Sequence, residues 1–122
     1  MPLLTKTVVT KGEPSTFTLN KSEIILVPKV SNNAFFSDIT NWKRVSIQFK
    51  NTEGQEKVLV FDALEDSPTA TFQVTEKARS DYKVTRIIIR DFDDGKLVIN
   101  RKDLSPAIQF ELDVQLEENL LQ

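Results

Sequence analysis

The chain has no Cys and no His, and its 122 residues include only three Gly, one Met, one Trp and one Tyr. Each absence excludes some chemistry. Without His and Cys there is no Ser-His-Asp triad, no Cys nucleophile, no zinc finger and no disulfide framework. Gly12, Gly54 and Gly95 stand far apart, so neither a Walker loop nor a dinucleotide fingerprint can be assembled. Charge of neither sign dominates: sixteen Lys and Arg against eighteen Asp and Glu leave a formal net charge of −2. A dedicated nucleic-acid binder usually carries a basic excess, so nucleic acid is not the expected partner. Long apolar runs are also missing. Nothing approaches the roughly 18 residues of a membrane span, and Met1–Thr10 is too polar for a secretory signal. A chain without Cys fits a reducing cytosol and an exported module equally, so the compartment stays open.

What is present is a large aliphatic and Phe content. Leu, Ile, Val and Phe make up about a third of the chain, well above the roughly one-fifth below which chains tend to stay disordered. A chain of this length folds without staples and is expected to form one domain over residues 1–122. The spacing of the apolar residues is mostly two. Val45, Ile47 and Phe49 alternate with Arg44, Ser46, Gln48 and Lys50. Phe17 and Leu19 alternate with Thr16 and Thr18, and Ala70, Phe72 and Val74 with Thr71 and Gln73. The longest such series is Ile108, Phe110, Leu112, Val114 and Leu116, which reads as a strand with one buried and one wet face. Ile24–Val27, Val58–Phe61, Ile87–Ile89 and Leu97–Ile99 are short runs rich in β-branched residues, which suit central strands.

Turn signals punctuate these runs. Asn51-Thr52-Glu53-Gly54-Gln55 suits a hairpin with Gly54 at positive φ, and Asp93-Asp94-Gly95 suits a second. Pro28 demotes its segment to an edge or bulge, and Ser105-Pro106 breaks a connection. A single helical turn is placed at Ser37–Trp42, and Glu117–Gln122 reads as a fraying tail. About eight strands at intervals of 8–15 residues predict an all-β, antiparallel two-sheet sandwich.

One stretch carries a family pattern. It runs Phe72-x-Val74, Ala78, Tyr82-x-Val84-x-x-x-Ile88 and Asp91-x-Asp93-x-Gly95. This resembles the closing half of bacterial immunoglobulin-like β-sandwich modules, and the upstream pair Val45–Phe61 resembles their preceding strands. The likeness covers residues 43–101. Ser80-Asp81 stands where such modules usually have a Gly before the Tyr, and Lys96 stands where Asn follows the turn Gly. The resemblance implies an immunoglobulin-like sandwich used for adhesion or spacing at a bacterial surface or in a secreted protein. An assembly component of a phage or secretion apparatus is the alternative, and a carbohydrate-binding module the third.

Candidate sites follow from charge and shape. Asp91, Asp93 and Asp94 form an acidic turn, a candidate Ca²⁺ site because hard cations take carboxylate oxygens; the competing reading is Asp used for turn hydrogen bonds. Trp42 with Phe35 and Phe36 forms a candidate contact patch for protein or sugar, against a core role for Trp42. Arg86 and Arg90 share strand parity with Tyr82, Val84 and Ile88, which mixes charge and apolar groups on one face. Either a bulge near Thr85 shifts the register, or that face is a half-exposed contact surface for an acidic partner. Catalysis is the least supported reading: a small sandwich with short loops has little room for a cleft.

Overall fold

The computed structural model describes residues 3–7, 15–26, 42–64, 68–72, 82–92 and 95–116. Among these residues seven strands form two antiparallel sheets: β1 (Leu4–Thr7), β2 (Ser15–Leu19), β3 (Trp42–Lys50), β4 (Glu56–Asp62), β5 (Thr69–Phe72), β6 (Lys83–Asp91) and β7 (Lys96–Asn100). The first sheet has the order β1-β2-β5 and the second β4-β3-β6-β7. Buried side chains from both form one cluster. Leu4, Phe17 and Leu19 come from the first sheet, and Val45, Ile47, Phe49, Leu59, Phe61, Ile87, Ile89, Leu97 and Ile99 from the second. The alternation read in the sequence therefore describes the inner faces of two layers. Each fully buried Leu, Ile or Phe contributes about 1.5–3 kcal/mol, so this shared core holds the layers together.

The β3–β4 connection is built by Asn51. Its side-chain Oδ1 accepts from the N–H groups of Glu53 at 3.0 Å and Gln55 at 2.8 Å. Gly54 takes φ +85, the left-handed region that L side chains avoid. At the β6–β7 turn Gly95 serves another need. A Cβ there would lie 2.5 Å from Asp91 Oδ2, so only Gly allows the approach.

Strand β6 contains the parity break. Gln48 pairs with Arg86 but Phe49 pairs with Val84, leaving Thr85 as an extra residue on β6. Before the bulge Tyr82 and Val84 are buried; after it Ile87, Ile89 and Asp91 are buried and Arg86 and Arg90 exposed. The mixed face expected for a regular strand is thus resolved by the bulge. A second shift lies between Trp42 and Arg44 on β3, with Lys43 as the extra residue.

Two sequence expectations are corrected. Ile108–Leu116 is not a strand: Pro106–Leu116 is an α-helix, α1. Ser105 caps it, its carbonyl accepting from Gln109 N–H at 3.0 Å and its Oγ from Ile108 N–H at 3.2 Å. Pro106 occupies the first helical position, where its missing N–H costs nothing. Ile108 and Leu112, four apart, face the core, while Phe110 is 71% exposed. Ile24 lies not in a strand but in a 3-10 helix, Lys21–Leu26. Seven strands lie among the described residues, β1 unanticipated, and the expected pair of antiparallel sheets is present with one α-helix added. The turn placed at Ser37–Trp42 lies outside the described residues except for Trp42, which opens β3. Pro28 and residues 117–122 also lie outside them.

Candidate binding face

Helix α1 fixes one end of β6. Asp113 Oδ1 accepts from Val84 N–H at 2.9 Å, taking a donor at the edge of the Thr85 bulge. The Arg101 guanidinium binds the same carboxylate through two nitrogens, at 3.0 and 2.8 Å, and donates to Val84 O at 2.9 Å. The hydrogen bonds that Arg101 donates to Asp113, with the attraction of its charge, hold the pKa of the Arg101 guanidinium above its ordinary value, against the opposing effect of partial burial. Across the same helix, Glu111 Oε2 accepts from Leu4 N–H at 3.1 Å. This end of the molecule is consumed by internal bonding.

The other end of β6 is open. Val45, Ile89 and Leu97 form a buried row across β3, β6 and β7. The neighbouring row, Arg44, Arg90 and Lys96, points the opposite way and is exposed. Side chains directly opposite one another on adjacent strands lie about 4.5–5.5 Å apart at Cβ, and like charges there are destabilising. Among the described residues none of these three cations forms an ion pair. Asp62 of β4 is in register with Arg44, but its Oδ1 accepts from Leu64 N–H at 3.0 Å instead. A small cavity of about 130 Å³ opens at this end, lined by Lys43, Arg44, Arg90, Asp91 and Gly95.

The next row on the same face is apolar except for one hydroxyl: Val60, Ser46, Ile88 and Val98. Val60 is 44% exposed, and Val58, one row further, 48%. That third row continues Val58, Gln48, Arg86 and Asn100. Arg86 Nε donates to Gln48 Oε1, so this cation is tethered within the face. Leu64, 80% exposed beyond β4, and Phe92, 50% exposed beyond β6, flank the cationic end. The open face of the four-stranded sheet thus carries a cationic row beside an apolar row.

The sequence candidates distribute unevenly over this geometry. Arg90 belongs to the cationic row and Arg86 to the third row. Asp91 is buried, and its carboxylate accepts the Gly95 N–H inside the hairpin. Asp93 and Asp94 lie outside the described residues, as do Phe35 and Phe36. Among the described residues no group of three or more carboxylates converges in the manner of a metal site. Trp42 is buried in the core cluster, which withdraws it from the contact patch drawn with Phe35 and Phe36. Its ring packs with apolar neighbours because the Lys43 bulge turns it inward while leaving Arg44 outward. Arg44, Lys43 and Lys96 were not singled out from sequence. One signal existed: a five-residue connection from Asp91 to Gly95 sets Arg90 opposite Lys96. Comparison with known proteins finds no matching family model, curated protein or solved structure. No helix among the described residues is long and apolar enough to cross a membrane.

Proposed function

We propose that the chain is a non-catalytic binding or structural module that engages a protein partner through the open face of its four-stranded sheet. The observation that carries this reading is the apolar row of exposed Val60 and half-buried Ile88 and Val98 on the outer face, beside three cations without ion-pair partners among the described residues. A sheet face serving only as a wet surface would alternate polar residues there.

An immunoglobulin-like identity for the fold is part of the proposal. Its support is the strand order: with β1 to β7 read as A, B, C, C′, E, F and G, the sheets are A-B-E and C′-C-F-G, an arrangement of the immunoglobulin type. The buried Trp42 on the third strand and buried Tyr82 at the start of the sixth sit where immunoglobulin domains place these residues. Helix α1 is an addition to that plan. From this identity follows the proposed setting, an adhesion or spacer domain of a bacterial surface or secreted protein. The assembly reading draws on β7, an outer strand that pairs only with β6 among the described residues and so offers an edge to another chain. Trp42, which the carbohydrate reading combines with Phe35 and Phe36, is buried.

Photo-cross-linking in extracts of the source organism tests the face. A photoreactive side chain replacing Val60 is expected to give one discrete protein adduct, abolished by Val98→Lys. The same group replacing the exposed Lys102, in the 3-10 turn Arg101–Asp103 after β7, is expected to give none. Identical adducts from both positions, or no adduct from position 60, would overturn the reading.

A further inference from the structure

We infer that the ligand of this face is an acidic amphipathic helix of a partner protein, lying across the strands with carboxylates over Arg44, Arg90 and Lys96. The inference rests on the proposed protein-binding role of the face and names the chemistry of its occupant. Three observations carry it. First, the cations lie in a single row, and a row runs perpendicular to the strands. Second, their spacing is that of adjacent strands, about 4.8 Å. Helix neighbours at i, i+3 and i+4 lie about 5–6 Å apart, which matches, whereas alternate residues of an extended segment are about 6.6 Å apart and drift out of step over three positions. Third, the row beside the cations is Val60, Ser46, Ile88 and Val98. Two residues along a strand separate the rows, about 6.6 Å. An amphipathic helix presents an acidic stripe and an apolar stripe at about that separation around its circumference. Ser46, within that row, is smaller than its neighbours Val60 and Ile88.

Nucleic acid is the other polyanion that three cations could attract. The adjoining row argues against it, since a phosphate backbone gains nothing from Val60, Ile88 and Val98. Arg44 and Arg90 line the cavity with Lys43, so one carboxylate can be held by two guanidinium groups and an ammonium. Asp91, in the same cavity, has its carboxylate engaged by the Gly95 N–H.

The experiment is a binding titration of the full chain, read by fluorescence anisotropy. The probes are a labelled synthetic helix with Glu at i, i+4 and i+7 and Leu on the adjoining stripe, a scrambled peptide of the same composition, and an oligonucleotide (dT)20. The patterned peptide is expected to bind about tenfold or more tighter than the scrambled one, a difference of about 1.4 kcal/mol. Combined Arg44→Ala, Arg90→Ala and Lys96→Ala is expected to abolish that preference, and Lys102→Ala to leave it intact. All these positions are exposed, and unchanged circular dichroism checks that the variants fold. Equal binding of the scrambled peptide, tighter binding of (dT)20, or no binding of the patterned peptide would overturn the inference. A discrete adduct from position 60 alongside any of these results would keep the face and reject the acidic helix.

Discussion

The two ends of strand β6 use the same side chain in opposite ways. At the Val84 end, Arg101 is held bidentately by Asp113 and also bonds Val84 O. At the Asp91 end, Arg90 sits between Arg44 and Lys96 with no ion-pair partner among the described residues. Each end also carries a register shift, with Thr85 extra on β6 at one and Lys43 extra on β3 at the other. At the Thr85 bulge the neighbouring backbone groups are satisfied by side chains of Asp113 and Arg101. The contrast teaches how to tell a structural cation from a recognition cation: the first has its charge answered within the fold, and the second is aligned with others of its own sign.

Substitutions should separate the ends, and the largest effect belongs to the closed one. Asp113→Ala removes the acceptor of Val84 N–H and the partner of Arg101 together. A loss of about 2–3 kcal/mol is expected in urea unfolding, with Asp113→Asn losing less because it keeps an acceptor. A loss below about 0.5 kcal/mol would erase the distinction. Next is Gly95→Ala, which tests whether the open end rests on a rigid floor. The added Cβ forces the Asp91 carboxylate off the hairpin, and about 1–2 kcal/mol is expected to be lost. Arg44→Ala with Arg90→Ala goes the other way: the unfolding free energy should stay level or rise, by up to about 0.5 kcal/mol, because like-charged neighbours are removed. A clear destabilisation would mean that these arginines are structural like Arg101. The smallest effect is that of salt. Raising NaCl from low ionic strength to about 0.5 M should stabilise the native chain slightly by screening the row, and this gain should vanish in the Arg44/Arg90 double variant.

Much of the four-stranded sheet was legible because its strands alternate cleanly and its turns announce themselves. Val45, Ile47 and Phe49 face the core as their spacing predicts, and Gly54 has the positive φ that the turn requires. The bulge at Thr85 was legible as one of two solutions to the conflict between Val84 and Arg86. Helix α1 was misread for a geometric reason. Ile108 and Leu112 are four apart, a spacing shared by two strand repeats and nearly one helical turn. Phe110 decides between them only once its exposure is known. Ser105-Pro106, taken as a break, was a helix start. The run at Ile24 was ambiguous because short apolar stretches carry no period. The cationic row was half legible. Parity exposed Arg86 and Arg90, but the alignment of Arg90 with Arg44 comes from pairing between residues 46 positions apart, which no local pattern encodes.

The bond between Leu4 N–H and Glu111 has a consequence for the order of events during synthesis. Its two residues are separated by 107 positions, so the first strand emerges from the ribosome long before the carboxylate that caps it exists. At a translation rate of about 5–20 residues per second, the interval lasts roughly 5–20 seconds. During that time β1 must wait, paired with β2 at best, with a backbone donor available to any neighbouring chain. Helix α1 therefore acts as a late latch, and variants that slow its formation should show their cost first in yield during expression rather than in the melting temperature of the finished protein.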